Sequence, residues 1–157
     1  MKNKHPDEWL KMLQTAFQEV LNEFARGVTN LDYQLEACDD ESLHRHIAMV
    51  EMFADDFQMH VGLATEMSGA TFLSQLLLGD EDLLDEYLRA DALGEMINII
   101  TGRIKRNLLD EGAGSDLGIP IVIEGRLIPI SRHECHISTM ILCNQKVQLF
   151  VLVKPYS

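Results

Sequence analysis

The chain is short of basic residues, of cysteine and of long apolar runs, and each shortage narrows the classes of function open to it. Its 157 residues hold 13 Lys and Arg against 25 Asp and Glu, a formal charge of −12. Residues 1–91 carry 6 bases against 19 acids, and residues 92–157 carry 7 against 6. A duplex-binding protein needs a clustered basic surface to displace counterions from phosphates, so this balance argues against nucleic acid as a partner. An anionic membrane surface is disfavoured for the same reason. No apolar stretch approaches the roughly 20 residues that span a bilayer. The opening Met1-Lys2-Asn3-Lys4-His5-Pro6-Asp7-Glu8 has basic residues but no apolar core or small-residue cleavage site, so no signal peptide is expected. Cys38, Cys135 and Cys143 are odd in number and lack CxxC spacing, which suits free thiols in a reducing cytosol and a cytoplasmic protein. GxSxG, HExxH and Walker patterns are missing too, so familiar hydrolase chemistry finds no support.

What is present suits one domain over residues 1–157, since 46% hydrophobic residues bury one substantial core and the length is too small for two. Trp9, Leu13, Ala16, Phe17, Val20, Leu21, Phe24 and Val28 recur at helical period, with Asp7 and Glu8 at the positive end and Gly27 weakening the last turn. Asp32 to Leu43 reads as a polar connection. His46 to Phe53 and Phe57 to Thr65 read as two antiparallel strands joined at Asp55-Asp56. Met67 to Leu78 is helical and stops at Gly79. Acidic residues from Asp80 to Glu86 open a further helical stretch, one bent helix or two, with its main body at Asp91 to Leu109. Strands follow at Ile119–Ile123, Leu127–Ile130, Cys135–Leu142 and Val147–Val153, the last two joined by a tight turn at Asn144-Gln145. The final strand is apolar on both faces, as a central covered strand is. The order predicts an α+β fold with helices packed on a largely antiparallel sheet.

Three candidate sites are weak. Gly112-x-Gly114-x-x-x-Gly118 follows a helix and precedes a strand, the reverse of a dinucleotide loop. His133 and His136 point to opposite faces of a strand. His44 and His46 share a face but lack a third ligand, so no metal site is expected.

The helix at Asp91–Leu109 is different. Gly94, Asn98 and Gly102 are four residues apart and form a ridge that drifts about 40° per step. Two glycines inside a helix cost about 1 kcal/mol each relative to alanine, which requires close packing within the chain or close approach by a partner. Glu95 lies one turn before Asn98, off the Leu93-Ile97-Ile100-Ile104 stripe, so carboxylate and carboxamide point the same way. A side-chain amide accepts from water through its oxygen and donates through its NH₂, the chemistry that positions water for attack on a phosphoryl group. Spacing alone is weak support, because Glu-x-x-Asn occurs a second time at Glu19-Val20-Leu21-Asn22 on the outer face of the first helix.

In context, Asp91-Ala92-Leu93-Gly94-Glu95-Met96-Ile97-Asn98-Ile99-Ile100-Thr101-Gly102-Arg103 resembles the signature helix of the CheC/CheX-type chemotaxis phosphatases. Leu117-Gly118-Ile119-Pro120-Ile121-Val122-Ile123-Glu124-Gly125 resembles that family's Pro-x-Val-x-x-Gly strand and turn. The match covers residues 83–153, with a looser agreement in element order before it; Asp55-Asp56 stands where many relatives have glycines. One well-placed motif favours the CheX-like branch, and Glu19 with Asn22 keeps a second motif in view, although Glu23-Phe24-Ala25-Arg26 lacks its flanking small residues.

The resemblance implies a CheC/CheX-like sandwich whose partner is a phosphorylated CheY-type receiver domain. Glu95 would pair with the partner's lysine, Asn98 would orient water, and Asp91, Gly94 and Gly102 would shape the docking surface. It implies no cofactor on this chain, Mg²⁺ in the partner's site, and a homodimer. Arg103, Lys105 and Arg106 either meet the partner's acidic rim or complement the helix macrodipole. Two other readings stay open: a module that binds or sequesters a receiver without turnover, and a packing role for the two glycines, which burial of Asn98 would mark.

Overall fold

The apolar stripe of the first helix turns inward. In a computed structural model that describes residues 5–24, 33–36, 43–54, 57–79, 85–112, 114–127 and 134–154, helix α1 (Pro6–Phe24) buries Trp9, Leu13, Ala16, Phe17, Val20 and Leu21. Gly27, Val28, Asp55-Asp56, Asp80, Ile128–Ile130, Cys38 and His133 lie outside the described residues.

The chain then runs through β1 (Tyr33–Glu36), β2 (Leu43–Ala54), β3 (Phe57–Thr65), α2 (Met67–Leu78), α3 (Glu86–Asp110), β4 (Asp116–Leu117), β5 (Ile121–Leu127), β6 (Glu134–Leu142) and β7 (Gln145–Lys154). The strands form one sheet in the order β1-β6-β7-β3-β2, with β4 and β5 both along β2, and every pairing is antiparallel. The expected α+β architecture of helices on an antiparallel sheet is what the chain adopts.

Alternation along the strands gives the sheet two apolar faces. Ala48, Val50, Met52, Val61, Leu63, Val147, Leu149 and Val151 meet α1, α2 and α3 in the main core. Ile47, Met49, Ala64, Phe150 and Leu152 form a second, smaller cluster on the opposite face. Strand β7 belongs to both clusters and lies between β6 and β3, the central place its two apolar faces predict. Phe150 lies over Gly62, its cross-strand partner; a Cβ at Gly62 would stand 2.9 Å from Met49 Cβ and collide with Phe150 and the Ala48 carbonyl. Only glycine fits that position.

Three expectations need correction. Residues 32–43 are not simply a connection, because Tyr33–Glu36 pairs with Leu142–Thr139 of β6. Four residues carry little periodic signal, and the long-range ladder supplies what they lack. The strand expected at Ile119–Ile123 starts two residues later: Gly118, just after β4, donates its N–H to the Glu51 carbonyl at 2.8 Å, and β5 starts after Pro120. Leu127 belongs to β5, and the rest of the strand expected at Leu127–Ile130 lies outside the described residues. The β6–β7 turn is Cys143-Asn144, both at positive φ (49° and 65°), as a two-residue primed turn demands, and Gln145 is already paired. The stop at Gly79 stands as expected, with φ of 85°.

Candidate functional site on helix α3

Helix α3 is a single helix of 25 residues, longer than its predicted main body because Asp85 caps it: the Asp85 carboxylate accepts from the Leu88 N–H at 2.8 Å. Ala92, Leu93, Met96, Ile97, Ile100, Thr101, Ile104 and Leu108 are buried against the sheet and the neighbouring helices. Asp91, Glu95, Asn98 and Gly102 fall within about 60° of arc on the opposite side. Asp91, Glu95 and Asn98 are exposed and Gly102 is half-buried. Among the described residues, neither the Glu95 nor the Asn98 side chain has a hydrogen bond or ion pair within the chain. The Asn98 main chain is held from behind, where buried Thr101 donates its hydroxyl to the Ile97 carbonyl at 2.8 Å and the Asn98 carbonyl at 3.2 Å.

The two glycines of the ridge differ. Gly94 is buried, and a Cβ there would touch Val122 Cγ2 at 3.5 Å and Pro120 Cβ at 3.9 Å, ordinary contact distances. At Gly102 no described residue lies within 4 Å of an added Cβ. The helical drift explains the difference: it carries the ridge from β5 at Gly94 out to the surface at Asn98 and Gly102. Packing among the described residues therefore demands glycine at neither position. Exposure of Asn98 likewise speaks against a purely structural role for this face.

The second Glu-x-x-Asn has another setting. Glu19 and Asn22 are exposed on α1, but the Glu19 carboxylate accepts from Arg103 Nη1 at 3.5 Å, and Glu23 accepts from Arg103 Nη2. Arg103 is thereby engaged in tying α1 to α3. It lies about 7.5 Å along the axis from Asn98, so Glu19 meets α3 beyond the Glu95–Asn98 turn.

Sequence reasoning missed the flank of this ridge. Ile119, read as part of a strand, sits in the Gly118–Pro120 break and is 84% exposed, while its neighbour Pro120 lies at Gly94. The available signal was an apolar residue between a glycine and a proline, a poor place for a strand interior.

Among the described residues no group of three His, Cys, Asp or Glu side chains is placed to hold a metal ion. His46 is buried on the helix-facing side of β2, and His136 lies 3.9 Å from Asp7 and 3.7 Å from Glu134. Cys135 and Cys143 are both half-buried. Among the described residues no helix is long and apolar enough to cross a membrane.

A family model for chemotaxis phosphatase CheX matches residues 46–144, a span that includes the whole of α3. The fold is similar to chemotaxis protein CheX from Vibrio vulnificus (TM-score 0.69, 16% identity, covering 90% of this chain and 96% of that one). It is also similar to chemotaxis protein CheX from Desulfovibrio desulfuricans (TM-score 0.71, 15% identity, 90% and 99% covered). A third similar structure is that of the CheX–CheY–BeF₃–Mg²⁺ complex from Borrelia burgdorferi (TM-score 0.66, 18% identity, 89% and 96% covered). At these identities the likeness is one of fold. No curated protein sequence matches the chain.

Proposed function

Since this chain belongs to the CheX family of chemotaxis phosphatases, we propose that it hydrolyses the aspartyl phosphate of a CheY-type receiver domain through Glu95 and Asn98. The observation that carries the reading is the exposed Glu95–Asn98 pair, with no partner for either side chain among the described residues and an unobstructed glycine one turn on. The Borrelia burgdorferi relative of this fold, solved together with CheY, supports the choice of partner.

In this reading Glu95 engages the receiver's active-site lysine and fixes the register of the dock. Asn98 enters the receiver's site, accepting a hydrogen bond from water through Oδ1 and donating through Nδ2. The water oxygen attacks phosphorus in line, the bond between phosphorus and the aspartyl oxygen breaks, and the carboxylate leaves as inorganic phosphate forms. Nothing on this chain becomes phosphorylated. Mg²⁺ belongs to the receiver's site, where it offsets charge on the phosphoryl oxygens. Gly102 lets the partner's backbone close on the helix, Asp91 lies on the same ridge, and Ile119 offers an apolar contact on its flank. Glu19 and Asn22 are assigned no catalytic part, because the Glu19 carboxylate is engaged by Arg103. A cytoplasmic site of action and a homodimeric assembly complete the proposal, the latter read by sedimentation.

The test is phosphate loss from a phosphorylated CheY-type receiver with Mg²⁺, in the presence of the wild type, Asn98→Ala or Glu95→Ala. Acceleration by wild type that disappears with Asn98→Ala is the expected result. Binding without acceleration by wild type would replace catalysis with sequestration.

A further inference from the structure

A cavity of about 280 Å³ lies under the first two turns of α3, away from the Glu95–Asn98 ridge. Its floor is the helix-facing side of β2 and β5, where His46 and Glu124 stand directly opposite each other across the ladder. Its roof is α3, through Glu86, Arg89, Ala90 and Leu93. His46 is only 7% exposed, and among the described residues its Nε2 has no hydrogen-bond partner. Native proteins leave few buried polar atoms unsatisfied, so an imidazole nitrogen held this way marks a place where a polar group is received.

The rest of the lining defines that group. Arg89 brings positive charge, and Glu86 and Glu124 bring negative charge. Glu124 keeps its carboxylate half exposed at the rim, 3.9 Å from Arg45. A simple anion would confront two carboxylates and a simple cation would confront a guanidinium. A zwitterion meets both signs at once. Between them Ala90, Leu93 and Val122 offer apolar surface. The volume is just under the range of about 300–1,000 Å³ typical of organic ligand pockets, too small for a nucleotide and ample for one amino acid.

We propose that this cavity binds a free α-amino acid. Its carboxylate is taken by Arg89 and by the His46 Nε2–H, its ammonium by Glu86 and Glu124, and its side chain rests on Ala90, Leu93 and Val122. Binding here does not depend on the phosphatase reading, since neither Glu95 nor Asn98 lines the cavity.

The twenty L-amino acids, titrated singly into the full chain by calorimetry, test the proposal, with the His46 side-chain ¹⁵N resonances followed in parallel. At least one is expected to bind at one site per chain and shift the His46 Nε2 signal. Its methyl ester should bind about tenfold or more weaker. Ala90→Phe, which fills the roof without changing any charge, and His46→Phe, which keeps a ring but removes the nitrogen, should each abolish binding while the far-UV spectrum stays unchanged. Failure of all twenty to bind overturns the proposal, and so does binding that survives Ala90→Phe or leaves the His46 signals unmoved.

Discussion

Helices α1 and α3 carry the same four-residue pattern, Glu-x-x-Asn, and use it differently. On α1 the glutamate is held by a cation from the neighbouring helix, and its asparagine rides on a face otherwise given to that ion-pair network. On α3 the glutamate and asparagine stand exposed with no partner among the described residues, between a glycine tucked under β5 and a half-buried glycine with room for a methyl group. A motif of two residues thus acquires meaning from what surrounds it. An engaged carboxylate holds the protein together, whereas one without a partner in its own chain is available to another molecule.

Substitutions that treat the two motifs alike sharpen this contrast, or break it. The largest difference is expected between Asn98→Ala and Asn22→Ala in receiver dephosphorylation. The first should lower the accelerated rate by about 10²–10³-fold, the scale of losing one positioned polar group at a transition state. The second should leave it unchanged; equal losses would put both motifs to work. Next come Glu95→Gln and Glu19→Gln. Glu95→Gln should weaken receiver binding by about tenfold and flatten its salt dependence in a titration series, as loss of one interfacial charge pair does. Glu19→Gln should leave both unmoved.

Gly102→Ala separates stability from docking. With open space around the added methyl, helix propensity should raise stability in a denaturant titration by about 1 kcal/mol. Receiver binding should weaken at the same time. Gain in both would place Gly102 outside the docking surface. The smallest effect belongs to Arg103→Met. The pair with Glu19 is partly exposed, so its loss should cost about 0.5 kcal/mol and lower Tm by about 1–2 °C in a thermal scan, with turnover retained.

Local periodicity carried much of the fold. The α1 stripe, the stop at Gly79 and the apolar double face of β7 are all readable from neighbouring residues, and they placed the helices and the central strand. Strand β1 was hidden because four residues in an acidic stretch become a strand only by meeting Thr139–Leu142, more than 100 positions away. Placement of Glu95 and Asn98 on one exposed face was legible, since helical geometry alone brings them together. The engagement of Arg103 by α1 was not, and neither was the cavity at His46. Both join segments distant in sequence, and no periodicity connects residue 46 to residues 86–93 or 122–124. Gly94 and Gly102 looked equivalent on the helix, and only the course of β5 tells them apart.

Strand β7 has a consequence for how the protein is made. It is the last of the described strands in chain order and yet fills the middle of the sheet, joining the β1–β6 pair to the β2–β3 hairpin. During synthesis at about 5–20 residues per second, β3 leaves the ribosome roughly 4–16 s before β7 can cover it. Through that interval the inner edge of β3, with Val61 and Leu63, is an open template for pairing with other nascent chains. Yield in the cell should therefore depend on translation speed and on chaperone capacity more than the stability of the finished sheet suggests.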